Sequence, residues 1–373
     1  MVLDRRDFFA ALLPLLVQVP KNDTNQAPVP PGEGDDAIVS ALKSLKQADV
    51  PGLTAAIAIP GKPTRTGATG IRKAGSPEGF GSHDLVHLGS CTKAMTATMI
   101  ATLVEQGKLA WTSTLAEVFP DVTMHADYRP VTLTQLLTHR ASLPANAFWA
   151  GLGRAKSTTE QRREAMTASL KSAPKVKPGT KMLYSNLGYA IAGLMAETVA
   201  KTSWEDLMRE CLFAPLGMSS AGFGPPGIKD KVDQPWGHSA MFGRKVPSQI
   251  DNPPVLGPAG TVHSTMADWA KFAELHLKGA RGEATPILKP ETFRILQTPA
   301  PGESYAMGWG VTEREWAGGT TLSHSGSNTQ WFCTVWLAPK RNTALLSATN
   351  EGGNAAAKAA DDAVGRLIKL AGL

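Results

Sequence analysis

The 373-residue sequence predicts an α+β protein whose two ends build one sheet, with a mostly helical lobe inserted between them. Three observations carry this. A helix followed by a strand opens the folded body. The middle, about 109–276, mixes helical segments with loops rich in Pro and Gly. Beyond Met307 three strand-like runs and a last helix close the chain.

In chain order, Arg5-Arg6-Asp7-Phe8-Phe9 precedes the apolar run Ala10-Ala11-Leu12-Leu13-Pro14-Leu15-Leu16-Val17. A basic pair ahead of a short apolar stretch predicts a twin-arginine-type export signal over 1–20, hence a periplasmic or extracellular protein. The run falls short of the roughly 20 residues that span a bilayer, so no membrane span is expected in the mature protein. Residues 21–34, rich in Pro, Asn and Gly, read as a linker, and 35–373 as the folded domain.

Ile38, Leu42 and Leu45 recur at helical spacing after Asp35 and Asp36, which suit an N-terminal turn. Pro51-Gly52 then breaks the helix, and 53–59 reads as a buried strand. Over 92–105, Met95, Met99 and Leu103 give a helix an apolar face, and Gly107 supplies its stop. The clearest helices of the middle are 188–200 and 266–276. Strands are expected at 320–323, 330–337 and 343–348, and a final helix at 355–370 with Ala356, Ala360, Val364, Leu367 and Ile368 on its apolar face.

Composition narrows the function. Hydrophobic residues make up 42% and charged ones 19%, ordinary values for a folded chain. The net charge of +6 is scattered, with no basic run or helix to mark a nucleic-acid partner. Cys91, Cys211 and Cys333 show neither C-x-x-C spacing nor a disulfide framework, and read as small buried hydrophobes. No H-E-x-x-H occurs, and His83 with His87 falls in an extended segment, so no metal is expected. Gly151-Leu152-Gly153 lacks the third glycine of a dinucleotide loop, and no cofactor is expected.

Chemistry concentrates at Gly89-Ser90-Cys91-Thr92-Lys93. A serine just before a helix and a lysine three residues on share one face, so the amine can reach the hydroxyl. A serine hydroxyl is a weak nucleophile until its proton is taken, which a desolvated lysine can do. Two other S-x-x-K runs exist. Ser40 to Lys43 falls inside a helix, and Ser172 to Lys175 contains Pro174. Context selects Ser90.

Two later elements add to it. Tyr184-Ser185-Asn186 precedes a helix; a tyrosine near a lysine can have its pKa lowered and act as base, while Asn186 can orient Lys93 or a substrate amide. His324-Ser325-Gly326 ends a strand, where Gly326 admits a substrate backbone and the N–H of Ser327 can join that of Ser90 as an oxyanion donor.

Ser-x-x-Lys, Tyr-x-Asn and His-x-Gly in this order resemble the serine β-lactamase and penicillin-binding protein superfamily. The match is closest to the branch of class C β-lactamases, D-Ala-D-Ala carboxypeptidases, family VIII esterases and D-aminopeptidases. Leu136-Leu137-Thr138-His139, Pro178-Gly179, Pro215-Leu216-Gly217-Met218 and Pro258-Ala259-Gly260 extend it from about residue 35 to the end. The resemblance implies a β-lactamase/transpeptidase-like fold, an antiparallel sheet flanked by helices. It also implies a covalent acyl-enzyme on Ser90, with proton transfer by Lys93 and Tyr184. Asn186, His324, Gly326 and Ser327 would bind the substrate, a small molecule or cell-wall peptide carrying an amide, β-lactam or ester.

The sequence departs from the β-lactamase pattern where His324-Ser325-Gly326 replaces Lys-Thr-Gly. A histidine is charged only in part near neutral pH, which disfavours strong β-lactamase activity. A non-catalytic peptide- or protein-binding member of the same fold is the alternative. Oligomeric state is not legible in the residues.

Overall fold

The structure, a computed structural model, describes residues 32–45, 49–147 and 157–373. The expected export signal and most of the linker lie outside them. Among the described residues twelve strands are present, in chain order β1 (Glu33–Gly34), β2 (Gly52–Ala58), β3 (Arg65–Gly70), β4 (Leu85–His87), β5 (Gly222–Phe223), β6 (Gly237–Met241), β7 (Arg244–Ser248), β8 (Val262–Thr265), β9 (Gly310–Arg314), β10 (Gly319–Ser327), β11 (Phe332–Ala338) and β12 (Thr343–Thr349).

Both ends of the chain meet in one seven-stranded sheet of order β1-β3-β2-β12-β11-β10-β9. Every neighbouring pair in it is antiparallel. The α+β expectation therefore holds, and the sheet begins at Glu33, within the segment read as linker.

The centre of the sheet is covered on both sides, so β2 and β12 are buried along their whole length. Alternate residues of a strand face opposite ways. Leu53, Ala55, Ile57 and Leu345 pack with Ile38 and Leu42 of the Asp36–Lys43 helix and with Ala363, Val364 and Leu367 of the Asn354–Leu370 helix. Ala56, Ala58, Ala344, Leu346 and Ala348 point the other way into the large core, which contains Trp269, Phe272 and Ala273 of the Met266–Ala280 helix. Small side chains on that face let the helix approach closely.

The Thr92–Glu105 helix differs from its expectation. It does not show one apolar face: everything from Thr92 to Leu103 is buried. Its threonines tolerate this because their hydroxyls donate to carbonyls, Thr96 to Pro258 at 2.8 Å, Thr98 to Ala94 at 2.8 Å and Thr102 to Met99 at 2.7 Å. A helix enclosed on all sides is a rigid mount for the residues at its start.

Candidate active site

Ser90 sits in a one-turn 3-10 segment, Gly89–Cys91, that joins β4 to the buried helix. The turn is clamped by Gly326 of β10. A Cβ on Gly326 would stand 2.0 Å from the Leu88 carbonyl oxygen and 2.8 Å from the Ser90 nitrogen. Gly89 has φ +45°, and a Cβ there would meet the Ser327 nitrogen at 2.4 Å. Both glycines are required by close backbone approach. The turn therefore packs directly on Gly326 and Ser327.

The decoys are displaced as expected. Ser40 is exposed on the Asp36–Lys43 helix, and Ser172 is exposed outside any helix.

Lys93 is fully buried. Its Nζ lies 3.0 Å from Ser90 Oγ, 2.7 Å from Asn186 Oδ1 and 2.8 Å from the Ala259 carbonyl oxygen. Burial holds its pKa well below the ordinary lysine value. A neutral amine has two N–H donors and one lone pair. Asn186 Oδ1 and Ala259 O only accept, so in the neutral form of the amine they would take the two protons and leave the lone pair facing the Ser90 hydroxyl.

The Asn186–Ala200 helix is capped by Ser185, whose hydroxyl accepts the Gly188 N–H at 3.0 Å and donates to Pro144 O at 2.6 Å. The middle residue of Tyr-Ser-Asn thus fixes its neighbours. Tyr184 is hydrogen-bonded to Ser90, and Lys93 Nζ stands 4.8 Å from the centroid of its ring. The expectation that lysine lowers the tyrosine pKa is not met. Burial of the phenol pushes it up, against the lowering effect of its bond to Ser90.

His324 also departs from its expectation. It lies inside β10, which runs on to Ser327 because Ser325, Gly326 and Ser327 pair with Thr334, Cys333 and Phe332. Burial, then Lys93, brings its pKa down to about 3, so the ring is neutral. Nδ1 lies 2.8 Å from Ser325 O, which only accepts, so Nδ1 carries the proton; Nε2 accepts from the Tyr305 hydroxyl at 3.1 Å. The partial positive charge expected of His324 is absent.

An aromatic cluster around His139 escaped the sequence reading. Its ring centroid is 4.3 Å from that of Tyr184, 5.2 Å from Tyr189 and 4.9 Å from Tyr305. Its Nδ1 accepts the Ser185 N–H at 3.1 Å, which anchors the Tyr184 segment. Burial of the ring lowers the His139 pKa well below the ordinary histidine value.

Cys91 points away from Ser90: its Sγ lies 3.5 Å from His324 O and 3.6 Å from Cys333 Sγ. Burial raises its pKa well above the usual thiol value, so it is no rival nucleophile. Among the described residues no group of His, Cys, Asp and Glu is arranged to hold a metal, and no helix is long and apolar enough to cross a membrane.

The family model described as Beta-lactamase matches residues 36–369. The chain belongs to the Beta-lactamase family. Penicillin-binding protein 4 of Amycolatopsis lactamdurans is 28% identical over 318 residues, covering 81% of each chain. The D-alanyl-D-alanine-carboxypeptidase/endopeptidase AmpH of Escherichia coli K12 is 26% identical over 244 residues, 61% of this chain and 60% of that protein. The class C β-lactamase structure from Rhodobacter sphaeroides superposes with a TM-score of 0.73 at 19% identity, covering 90% of this chain and 99% of that one. This Beta-lactamase-family chain thus shares the fold of both β-lactamases and penicillin-binding proteins, with a neutral histidine on the strand beside its serine.

Proposed function

We propose that this protein is an exported serine hydrolase that forms a covalent acyl-enzyme on Ser90 with an amide or ester substrate. The observation that supports it most is the coordination of Lys93, whose two acceptors leave its lone pair toward Ser90 Oγ at 3.0 Å. In this reading the neutral amine takes the Ser90 proton as Oγ attacks the substrate carbonyl. The N–H groups of Ser90 and Ser327 stabilise the oxyanion. Tyr184, a neutral phenol bonded to Ser90, relays the proton to the leaving group, and water then releases the acyl group.

The substrate is a small molecule or a cell-wall peptide. Neutral His324, already engaged by Tyr305 and Ser325, favours an ester or an uncharged amide over a substrate bound through its carboxylate. Export through the Arg5-Arg6 signal would place the enzyme outside the cytoplasm.

Intact-mass measurement after incubation with a fluorescent penicillin, nitrocefin, a D-Ala-D-Ala peptide and short p-nitrophenyl esters tests this reading. A single adduct on the wild type that is absent from Ser90→Ala supports it. An adduct that persists in Ser90→Ala overturns the mechanism, and no adduct with any probe favours the non-catalytic binding alternative.

A further inference from the structure

Three residues before Ser90, His87 is completely buried at the end of β4. Its Nδ1 accepts the backbone N–H of Gly89 at 3.1 Å. Its other ring nitrogen, Nε2, is buried and lies 2.8 Å from Oδ1 of Asp251, at ion-pair distance though without hydrogen-bond geometry. The same Oδ1 accepts the Asn328 side-chain amide at 2.9 Å and the Asn252 backbone N–H at 2.6 Å. Asn328 directly follows Ser327, and its Oδ1 accepts the Gln330 N–H at 3.1 Å. Asn252 donates to Gly260 O at 2.7 Å, one residue beyond the Ala259 carbonyl that receives Lys93.

One buried carboxylate oxygen therefore contacts the turn that carries Ser90 and the strand end that carries Ser327, and through Asn252 reaches the helical turn Gly257–Gly260 that holds Lys93. A carboxylate is costly to bury, and core packing does not call for one here. Its partners are the segments whose relative position the chemistry depends on. The turn and the strand end already touch, as the 2.4 Å approach of a Gly89 Cβ to the Ser327 nitrogen shows. A small rotation of the turn would change the spacing between the Ser90 and Ser327 N–H groups.

We propose that His87 and Asp251 are positioning residues, and that the chain Asn328–Asp251–His87–Gly89 fixes the spacing of the two oxyanion donors. The proposal rests on the reading of Ser90 as nucleophile. Misplacement of reacting groups by about 1 Å lowers rates roughly a hundredfold. The loss should appear in transition-state stabilisation and spare ground-state binding.

The test compares the full-length wild type with Asp251→Ala, Asp251→Asn, His87→Phe and Asn328→Ala. The readouts are p-nitrophenyl butyrate turnover, Ser90 adduct formation by intact mass, and the inhibition constant of phenylboronic acid, which forms a tetrahedral adduct on the serine. The expected result for Asp251→Ala and His87→Phe is a fall in kcat of about 30- to 300-fold. KM should change less than about threefold, and boronate affinity should weaken in parallel with kcat. Asp251→Asn keeps an acceptor at Oδ1 and should stay within about fivefold of the wild type. Asn328→Ala cuts the other arm alone, so it reads the network even if Asp251→Ala does not fold. Folded variants with wild-type turnover and boronate affinity overturn the proposal, as does a loss confined to KM. A wild type that gives no Ser90 adduct overturns the hydrolase reading itself, and the positioning role with it.

Discussion

Burial moves Lys93 and Tyr184 in opposite directions, with the lysine Nζ 4.8 Å from the centre of the tyrosine ring. Desolvation disfavours charge, so the amine loses its proton more readily and the phenol keeps its own. In the proposed mechanism this favours Lys93 over Tyr184 as the base. The rate of acylation by an activated ester should rise with pH through the lowered Lys93 value and level off well below the ordinary lysine value of about 10.4. Lys93→Arg, which cannot become neutral, should lower kcat/KM by about 10³-fold, and Tyr184→Phe by about 10- to 100-fold. A pH–rate profile still climbing above pH 10 would instead make Tyr184 the base.

The clamp on the nucleophile turn gives a test that leaves every ionisable group in place. Gly326→Ala would put a methyl 2.0 Å from Leu88 O and 2.8 Å from the Ser90 nitrogen, both backbone atoms that cannot swing aside. The turn and β10 must separate, and kcat/KM should fall by about 10²-fold or more. Gly365→Ala is the control: nothing lies near its added Cβ in the last helix, and stability should rise by about 0.5–1 kcal/mol with activity unchanged. Ester turnover and thermal melts of the two variants decide it.

What the sequence could show here depends on whether a feature is local. The span of the Thr92–Glu105 helix is legible because apolar residues at helical spacing and the Gly107 stop are local, although its burial on all sides is not. Ser90 was separable from Ser40 and Ser172 because helix position and Pro174 are local facts. The neutrality of His324 was not legible. It depends on burial and on Lys93, more than two hundred positions earlier. The Ala259 carbonyl that completes the Lys93 site was equally hidden, since a backbone acceptor carries no residue-type signal. Asp251 reaches His87 across more than 160 residues, and neither stands in a recognisable motif.

Arg162 is a stability node remote from the chemistry. Fully buried, it pairs with Glu197, reaches Glu205 at 2.6 Å and donates to the carbonyls of Val255 at 3.2 Å and Pro254 at 3.1 Å. Arg162→Met strands the Glu197 carboxylate and should destabilise the fold by about 3–5 kcal/mol at pH 7.5. Burial already raises the Glu197 pKa with the arginine present. Without it, protonation becomes easier still, so the loss should shrink at pH 5. Urea unfolding of wild type and variant at both pH values measures this, and an equal loss at both would show that the lost carbonyl bonds dominate.

Two histidines outside the site should add to the acid sensitivity of stability. His276 is buried between Thr98 and Gln297, and desolvation holds its pKa at about 3. His238 accepts the Ala74 N–H, and its other nitrogen lies 2.7 Å from Asn350 O; burial holds it at about 4. In the unfolded chain both titrate near 6.5. Between that value and the folded one, the unfolded state binds more protons, so stability rises with pH and is lost as pH falls from about 6.5 toward 4 and then 3. Each group should remove about 2 kcal/mol between pH 7 and pH 5. His276→Gln, which cannot titrate, should narrow the wild-type difference between unfolding free energies at pH 7 and pH 5 by about that amount. A variant whose stability falls as steeply as the wild type over this range would exclude His276 as a source of the acid sensitivity.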